Sequence, residues 1–579
     1  MAFFGQKRRF IGLVLAGLLC SSAAPGLVFA DGKDGDAPAA KTEKAKPGAA
    51  KLDAPAPLTE RERFLLDRIE QLEKRMAEME ARGSSSAPAA AAASAPQPAS
   101  SAASESASAA PATTVAAPGR NVTPTEKSMT AAATPVQEKT PVAEPEKAEP
   151  FAFADFTWLT GNARTKESPM DTKFFTPEIR ADVDYVYDFN HPKDDTISGS
   201  SEIFRANEVQ VTQLGVGGDF HYDNVRARLM TQFGLYSETT PRNDASPSRG
   251  QWNLADAYRY ISEAYGGYHF NVLHGVNVDA GIFMSYVGLF SYYQFDNWAY
   301  QPSYVSSNTP WFFNGVRVQI FPTEHLKIEP WFVNGWQSYG RFNNRPGFGM
   351  QILWRPNGWL SVLGNQYALG EDALNTPGRV RYHTDDSIQV KYYDHPEDFL
   401  SKAAFSLTGD MGCEHGGGVS CAGNSVKGPK QSFLGYMVYN RLWFDRDRYA
   451  LTIGGGQINN PGRYLVLLPP INGATASSGT PYFTENPGDP YKAWDISGTF
   501  DWMPSQYITF RWEYNHRAAN VPYFSGPGGV TPPGGNTATP GGLVCLSGFT
   551  TCDGSASNTW FPDLRKTENR ATMAILVKF

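Results

Sequence analysis

The feature that most constrains this chain is an alternation of apolar and polar residues with a period of two, which recurs throughout the part after residue 150. In residues 179–189, Ile, Ala, Val, Tyr and Phe fill the odd positions, and Arg and Asp fill most of the even ones. The pattern returns in residues 225–233, 494–502 and 508–515. Such alternation is typical of β-strands with one apolar face. Residues 151–579 are therefore predicted to be all-β.

The spacing of the segments predicts a closed barrel rather than a soluble sandwich. The chain offers about 16 candidate strands, within a range of 14–18, and most have the ~9–11 residues that cross a bilayer. Short turns such as Asp445-Arg446-Asp447 and Pro504-Ser505 alternate with longer loops such as 289–310 and 518–566. Short turns on one rim and long loops on the other indicate a transmembrane antiparallel β-barrel. An even strand number places both barrel ends on the short-turn side.

The composition agrees with this fold class. Hydrophobic residues are 41%, charged residues 19% and mean hydropathy is -0.38, too polar for a bundle of membrane-spanning helices. A barrel shows lipid only every second residue, so its average stays polar. All 13 Trp and all 27 Tyr lie after residue 150. Aromatic residues near strand ends suit interfacial girdles; we assign to them Tyr185, Tyr187, Trp311, Trp336, Trp359, Trp494 and Trp502.

The N-terminal 150 residues divide into an export signal and an arm. Lys7-Arg8-Arg9, an apolar stretch and a small-x-small site before Asp31 predict a signal peptide over residues 1–30. Residues 31–57 are polar and are interpreted as disordered. Residues 84–150 are rich in Ala, Pro, Ser and Thr and contain no Leu, Ile or aromatic residue. A segment of that composition forms no core, so it is predicted to be a disordered linker.

Between them, residues 58–83 carry the heptad pattern of a short α-helical coiled coil. Apolar residues alternate at spacings of three and four, and Arg and Glu flank them at g and e positions. The pattern resembles the signature of short trimeric coiled coils, so a parallel homotrimer is expected, with a dimer as the alternative. The residues assigned to oligomerisation are Leu65, Arg68, Ile69, Leu72, Glu73, Arg75, Met76, Met79 and Glu80. Peptidoglycan or another periplasmic partner is a hypothesis for this arm.

Four cysteines follow the signal peptide and form two local pairs. Cys413 and Cys421, and Cys545 and Cys552, lie in Gly- and Ser-rich surroundings within predicted long loops. An even count in an exported protein favours the disulfides Cys413–Cys421 and Cys545–Cys552. A metal site that uses His415 is the alternative, and no second histidine supports it.

The strand phase also predicts which charged residues face the lumen. A barrel of about 16 strands tends to enclose an aqueous channel. Basic and acidic residues are both represented, so the ion preference stays open, and each residue could instead belong to a wall ion pair. The candidates are Arg180, Asp182, Asp184, Arg226, Arg228, Arg259, Glu263, Arg317, Lys327, Glu329, Lys391, Lys402, Asp410, Arg511, Glu513 and Arg570.

Residues from about 155 to 579 resemble the OmpL-like β-barrel porin family of Gram-negative outer membranes. The resemblance rests on Phe156-Thr157-Trp158-Leu159-Thr160-Gly161-Asn162, on residues 310–318 (PWFFNGVRV) and on Val333-Asn334-Gly335-Trp336. The chain also ends in Phe579 after alternating apolar residues, which resembles the signal that the bacterial barrel-assembly machinery reads. The family implies a pore in the outer membrane and no catalysis.

The leading expectation is therefore an outer-membrane porin, a water-filled channel for passive diffusion of small hydrophilic solutes or ions, with its N-terminal arm in the periplasm. A dedicated export or uptake channel for a polysaccharide or another specific solute is the alternative. An enzyme is disfavoured, because no nucleophile and base stand in a recognisable pattern. No motif indicates a cofactor, a catalytic metal or nucleic acid.

Overall fold

The computed structural model describes Lys74 and residues 149–579, except 201, 242–243, 245, 247–248, 371–377, 424–425, 427–429, 461–490 and 532–562. The predicted signal peptide, the coiled coil, nearly all of the linker and the Cys545–Cys552 pair lie outside the described residues. Within the described part of the chain, no helix has the length and apolar character needed to cross a membrane.

Sixteen antiparallel strands pair edge to edge and close into one barrel, which confirms the predicted fold class. Each strand pairs with its neighbours in sequence, and the ring closes between the first and last barrel strands. The barrel strands are β1 (Phe175–Asp188), β2 (Val209–Tyr222), β3 (Val225–Thr231), β4 (Ile261–Phe270), β5 (Val276–Met284), β6 (Phe312–Thr323), β7 (Leu326–Val333), β8 (Gly347–Asn357), β9 (Leu360–Gly370), β10 (Val380–Asp394), β11 (Leu400–His415), β12 (Ser432–Phe444), β13 (Tyr449–Asn460), β14 (Tyr491–Ser505), β15 (Ile508–Ala519) and β18 (Thr567–Lys578).

The period of two places alternate side chains on opposite sides of the wall. In β14, Trp494 and Phe500 face outward and are exposed, while Asp495 and Asp501 face inward. The inward side chains are buried, with an exposure of 6% at Asp495 and 0% at Asp501. A side chain that faced a water-filled lumen would be exposed. Other parts of the protein therefore cover this part of the inner wall.

The connections hold short additional elements. These are α1 (Tyr236–Thr239), α2 (Leu254–Tyr258), α3 (Tyr304–Ser307), a two-stranded sheet of β16 (Phe524–Ser525) and β17 (Leu564–Arg565), and 3-10 turns at Thr157–Leu159 and Gln294–Asp296. The strand phase that predicted a lumen position for Arg259 requires a strand there, but β4 begins at Ile261. The reason is local, since the Asn253 side chain accepts a hydrogen bond from Asp256 N and caps α2.

The aromatic side chains assigned to the girdles divide into two groups. Tyr185, Tyr187, Trp359, Trp494 and Trp502 are exposed on the outer surface. Trp336 is fully buried instead, against Tyr367 and His383 on the inner side of the wall, so its interfacial assignment is wrong. Trp311 packs against Phe204 and Tyr236 in the connections and is not a girdle residue either.

The last residue takes part in closing the barrel. Phe579 N donates to Ile179 O at 2.9 Å, and Ile179 N donates to Phe579 O at 3.3 Å. The Phe579 ring stacks on Tyr507 with centroids 5.5 Å apart. The C-terminus therefore continues the pairing of β18 with β1 at the seam where a barrel must close to leave no free edge.

Candidate functional site: the barrel lumen

The connection between β5 and β6 folds back inside the barrel. We call residues 285–311 the lumen loop. Carboxylates on the inner wall accept hydrogen bonds from its backbone: Tyr300 N donates to Glu513 Oε2 at 2.6 Å, and Gln301 N donates to Glu513 Oε1 at 2.8 Å. Tyr304 N donates to Asp495 Oδ2 at 3.0 Å. The wall thus satisfies backbone donors that burial would otherwise leave without partners.

A buried ion cluster on β12, β14 and β15 fixes the same loop. Asp501 accepts from Arg441 Nη2 and from Arg511 Nε, both at 2.7 Å, and all three side chains have 0% exposure. The guanidinium groups also donate to loop carbonyls, Arg441 to Trp298 O at 3.1 Å and Arg511 to Asn297 O at 2.6 Å. One carboxylate therefore balances two cations that hold the loop against the wall.

The chain before β1 crosses the mouth of the barrel on the short-turn side. We call residues 151–166 the strap. Trp158 Nε1 donates to Gly358 O at 3.1 Å in the β8–β9 turn. Asn162 Nδ2 donates to Ser505 O at 3.1 Å in the β14–β15 turn. Like the lumen loop, the strap lies outside the ladder of barrel strands.

Apolar packing fills much of the remaining interior. Trp158 of the strap and Trp298 of the lumen loop share one buried cluster with Tyr439 and Trp443 of β12. A second cluster joins the lumen-loop residue Tyr286 to inward-facing rings of β5 to β9, which are Phe283, Phe313, Trp331 and Tyr367. The sequence predicted a lumen too wide to fill with strand side chains. The segment and the loop that enter it, rather than the strands alone, provide the filling.

A set of opposite charges lines the inner face of β1 to β7, and we call it the charged wall. Arg228 donates to three carboxylates, Glu263 at 2.8 Å, Asp219 at 2.7 Å and Glu178 at 3.0 Å. Neighbouring pairs are Arg317–Asp279 at 3.0 Å, Arg226–Asp279 at 3.3 Å and Lys327–Glu329 at 2.6 Å.

Exposure distinguishes the charged wall from the rest of the inner surface. The side chains of Asp219 and Arg226 are 47% and 30% exposed, whereas Arg511 and Asp501 across the barrel are fully covered. Both exposed residues lie near the β2–β3 turn, so solvent reaches the inner face at the short-turn end of these strands.

One carboxylate joins the lumen loop to the charged wall. Asp296 accepts from Arg180 Nη1 at 2.9 Å and from Lys578 Nζ at 3.4 Å. Burial alone would raise the pKa of Asp296, but these two cations outweigh it and hold that pKa below its usual range. The carboxylate therefore stays charged at neutral pH.

The predicted lumen residues fall into several groups. Seven belong to the charged wall: Arg180, Arg226, Arg228, Glu263, Arg317, Lys327 and Glu329. Five more lie on β1, β15 and β18 and contact the lumen loop, and Asp184 among them also accepts from Thr212. These five are Asp182, Asp184, Arg511, Glu513 and Arg570. Three more form pairs on β10 and β11: Lys391 with Asp394, Lys402 with Asp447 and Asp410 with His383.

Arg259 is the exception, because it lies between α2 and β4 and pairs with Glu238 of α1. Its predicted position on a strand is wrong. The sequence interpretation also omitted Arg441 and Asp501 from the candidates. Asp501 lies in phase with Asp495 on β14, so strand phase alone could have included it.

Cys413 and Cys421 are joined by a disulfide. Cys413 is the third-last residue of β11 rather than a loop residue, so the bond ties a strand end to the loop that follows. Among the residues that the structure describes, no set of three or more His, Cys, Asp or Glu side chains is arranged to hold a metal ion.

A closed sixteen-stranded barrel with an apolar outer surface and a charged inner wall defines an outer-membrane β-barrel of the porin class. The sequence matches the family described as "Putative beta-barrel porin-2, OmpL-like" over residues 180–539. The chain belongs to this family, as its motifs predicted.

Solved outer-membrane proteins are among the structures to which this chain is similar. The outer membrane channel DcaP of Acinetobacter baumannii is 12% identical, with 72% of this chain and 99% of DcaP covered and a TM-score of 0.37. OprB of Pseudomonas putida is 12% identical, with 70% and 94% covered and a TM-score of 0.38. OmpT of Vibrio cholerae in its trimer form is 9% identical, with 71% and 100% covered and a TM-score of 0.38. At these values the likeness says nothing of a transported solute. No curated protein sequence matches the chain.

Proposed function

We propose that this protein is a passive channel for small hydrophilic solutes or ions in the bacterial outer membrane, without enzymatic activity. The observation that carries the proposal is the charged wall, whose Asp219 and Arg226 keep contact with solvent at the short-turn mouth of the barrel. Polar, hydrated side chains along one side of a lumen favour passage of hydrophilic solutes.

The path would run off-centre, along β2 to β7. The opposite side is occupied by the lumen loop and the strap, which cover Arg441 and Arg511 completely. Most charges along the path are paired with an opposite charge, as around Arg228. Paired charges present little net field, so weak ion selectivity is expected.

Replacing Asp219 by asparagine is expected to shift the channel towards anions. A unit charge about 8 Å from a passing ion contributes about 0.5 kcal/mol in water, favourable for a cation and unfavourable for an anion. The cation-to-anion permeability ratio therefore changes by about 1 kcal/mol, or roughly sixfold before screening by salt. Arg228 keeps Glu178 and Glu263, so the fold should persist. Reversal potentials in planar bilayers under a salt gradient measure the shift.

The matched control is Glu397→Gln, which removes the same charge from the exposed β10–β11 turn, where Glu397 pairs with Arg446. Its reversal potential should equal that of the wild type. Folded protein that shows no conductance under any condition would contradict the channel itself.

The alternative of a dedicated channel for a polysaccharide or another specific solute stays a hypothesis. It would require a continuous path wide enough for that solute, and both the lumen loop and the strap occupy the interior. Concentration-dependent block of the ion current by a candidate polymer would favour it, whereas an unchanged current would favour the general channel.

A homotrimer is part of the proposal, with the N-terminal arm in the periplasm and peptidoglycan as a candidate partner of that arm. Deleting residues 58–82 should abolish trimers trapped by chemical crosslinking, because the apolar a and d positions and the Arg–Glu pairs of the coiled coil are then lost. The barrel of the deletion variant should still fold. Trimers that persist undiminished would place the oligomer contact on the barrel instead.

A further inference from the structure

We propose that the strap is a releasable gate of the periplasmic mouth, and that it controls conductance by holding the lumen loop in place. The inference rests on the proposed channel function and goes beyond it. The strap contributes no strand to the barrel, yet it contacts turns on opposite sides of this mouth and the lumen loop inside it.

The strap spans the mouth from one side to the other. At its start, Phe151 N donates to Glu324 O at 2.8 Å, and Phe153 packs on His325 with ring centroids 4.2 Å apart, both at the β6–β7 turn. At its end, Thr165 Oγ1 donates to Gln506 O at 2.6 Å at the β14–β15 turn. These turns stand half the ring apart in the strand order, and between them the strap contacts Gly358 of the β8–β9 turn and Arg441 of β12.

At its middle, the strap is interlocked with the lumen loop. Gly161 N donates to Asp296 O at 2.9 Å, and Trp298 Nε1 donates to Trp158 O at 3.2 Å. Arg441 Nη2 donates to Gly161 O at 2.7 Å, while its Nη1 donates to Trp298 O. One guanidinium thus holds strap and loop together, and release of either segment removes partners from the other.

The fit at Gly161 has no spare room. A Cβ at this position would lie 2.3 Å from Phe295 O and 2.5 Å from Asn297 O. Backbone meets backbone here, so even alanine would force the strap away from the loop. A single added methyl group at Gly161 would therefore be incompatible with the closed arrangement of strap and loop.

Release would leave the barrel intact. The ladder closes from Phe175 onward through β1 and β18, and the strap contributes no strand to it. The strap is anchored mainly by hydrogen bonds to backbone carbonyls of the turns, of β14 and β15 and of the lumen loop, each contributing about 1 kcal/mol net. Trp158 and Ala163 are its only strongly buried apolar residues. A segment held in this way opens at a lower free energy than the wall around it.

The strap is also the part of the barrel unit that continues directly into the linker. Residue 150 precedes it in the chain, so a load or a bound partner on the N-terminal arm acts first on Phe151 and Phe153. Arg355 covers the Phe151 and Phe156 rings with its guanidinium, at 5.1 and 4.7 Å, so this attachment lies next to the point where such a load would enter the strap.

A disulfide that can be made and broken tests the gate. Ala154 Cβ lies 2.9 Å from the position of a Cβ on Gly358, close to the ~3.5–4.5 Å of disulfides, so Ala154→Cys with Gly358→Cys should lock the strap after a small shift. In planar bilayers, full-length oxidised protein should lose the high-conductance openings that the wild type shows, and a thiol reductant should restore them. Wild type treated with the same reductant controls for the Cys413–Cys421 bond.

The opposite change is Gly161→Ala, which should increase the fraction of time spent in the high-conductance state. Gly498→Ala is its matched control, because no atom lies near a Cβ added there and its conductance should equal that of the wild type. Equal conductance of the locked, reduced and Gly161→Ala proteins would overturn the gate while leaving the channel standing. If none of the folded proteins conducts, the proposed function itself fails.

Discussion

Replacing Asp501 by asparagine is expected to lower the free energy of unfolding of the barrel by about 3 kcal/mol or more. Asp501 is the carboxylate that balances Arg441 and Arg511, and all three side chains are fully buried. An amide of the same shape removes the carboxylate that accepts hydrogen bonds from both guanidinium groups, in a region that water does not reach. Urea unfolding in detergent, followed by tryptophan fluorescence, measures the change.

The same substitution should loosen the lumen loop, since Arg441 and Arg511 hold Trp298 O and Asn297 O only while they are themselves fixed. Protease cleavage within residues 285–311 should therefore be faster in the variant. Asp445→Asn provides the control, because Asp445 makes a solvent-exposed pair with Arg448 in the β12–β13 turn. Its stability should stay within about 0.5 kcal/mol of the wild type. An Asp501→Asn variant as stable as this control would show that the cluster contributes little.

Deleting Phe579 is expected to remove most of the assembled barrel from the outer membrane. Two losses combine, because the backbone bonds between Phe579 and Ile179 at the closing seam disappear, and so does the ring stacked on Tyr507. The terminal aromatic residue is also the proposed recognition signal for the barrel-assembly machinery. Heat-modifiable mobility of the protein in membrane fractions measures the assembled barrel.

Refolding into detergent separates the two losses. Phe579→Ala keeps the backbone bonds, so it should refold in vitro nearly as well as the wild type and still assemble poorly in cells. Phe399→Ala serves as the control, because Phe399 is 75% exposed in the short β10–β11 turn and its loss should not affect assembly. Normal assembly of Phe579→Ala in cells would argue against the signal and leave the seam as the only role of this residue.

Much of the wall could be predicted from the sequence. The period of two assigned β14 correctly, with Trp494 outward and Asp495 inward, because a strand in a membrane barrel has one face in lipid and the other away from it. The short turn at Asp445-Arg446-Asp447 was also predicted from the sequence. In the structure all three residues adopt positive φ angles in a tight connection. Both features are local, and local patterns are what one chain by itself can reveal.

One error lies where a residue meets a distant part of the chain, and another has a local cause. Trp336 has the composition of a girdle residue, yet it packs on Tyr367 and His383, which no pattern around residue 336 encodes. Arg259 was predicted to lie on a strand, but the short helix α2, capped by Asn253, occupies the residues just before it. β4 therefore begins only after Arg259. Strand phase gives the side of the wall on which a residue lies and not what covers it there.

The sequence by itself determined the closed barrel, its sixteen strands, the two unlike rims and the inward direction of the charged residues, because each depends on alternation and turn spacing along the chain. Only the tertiary structure decided that the lumen loop and the strap enter the barrel and bury Asp501, Arg441 and Arg511. Gly161 and Arg441 are 280 positions apart, and their contact exists only once the barrel encloses both. The filling of the lumen depends on shape and hydrogen bonding between such distant segments. Hydrophobic periodicity is a local property of the sequence and carries no information about these contacts.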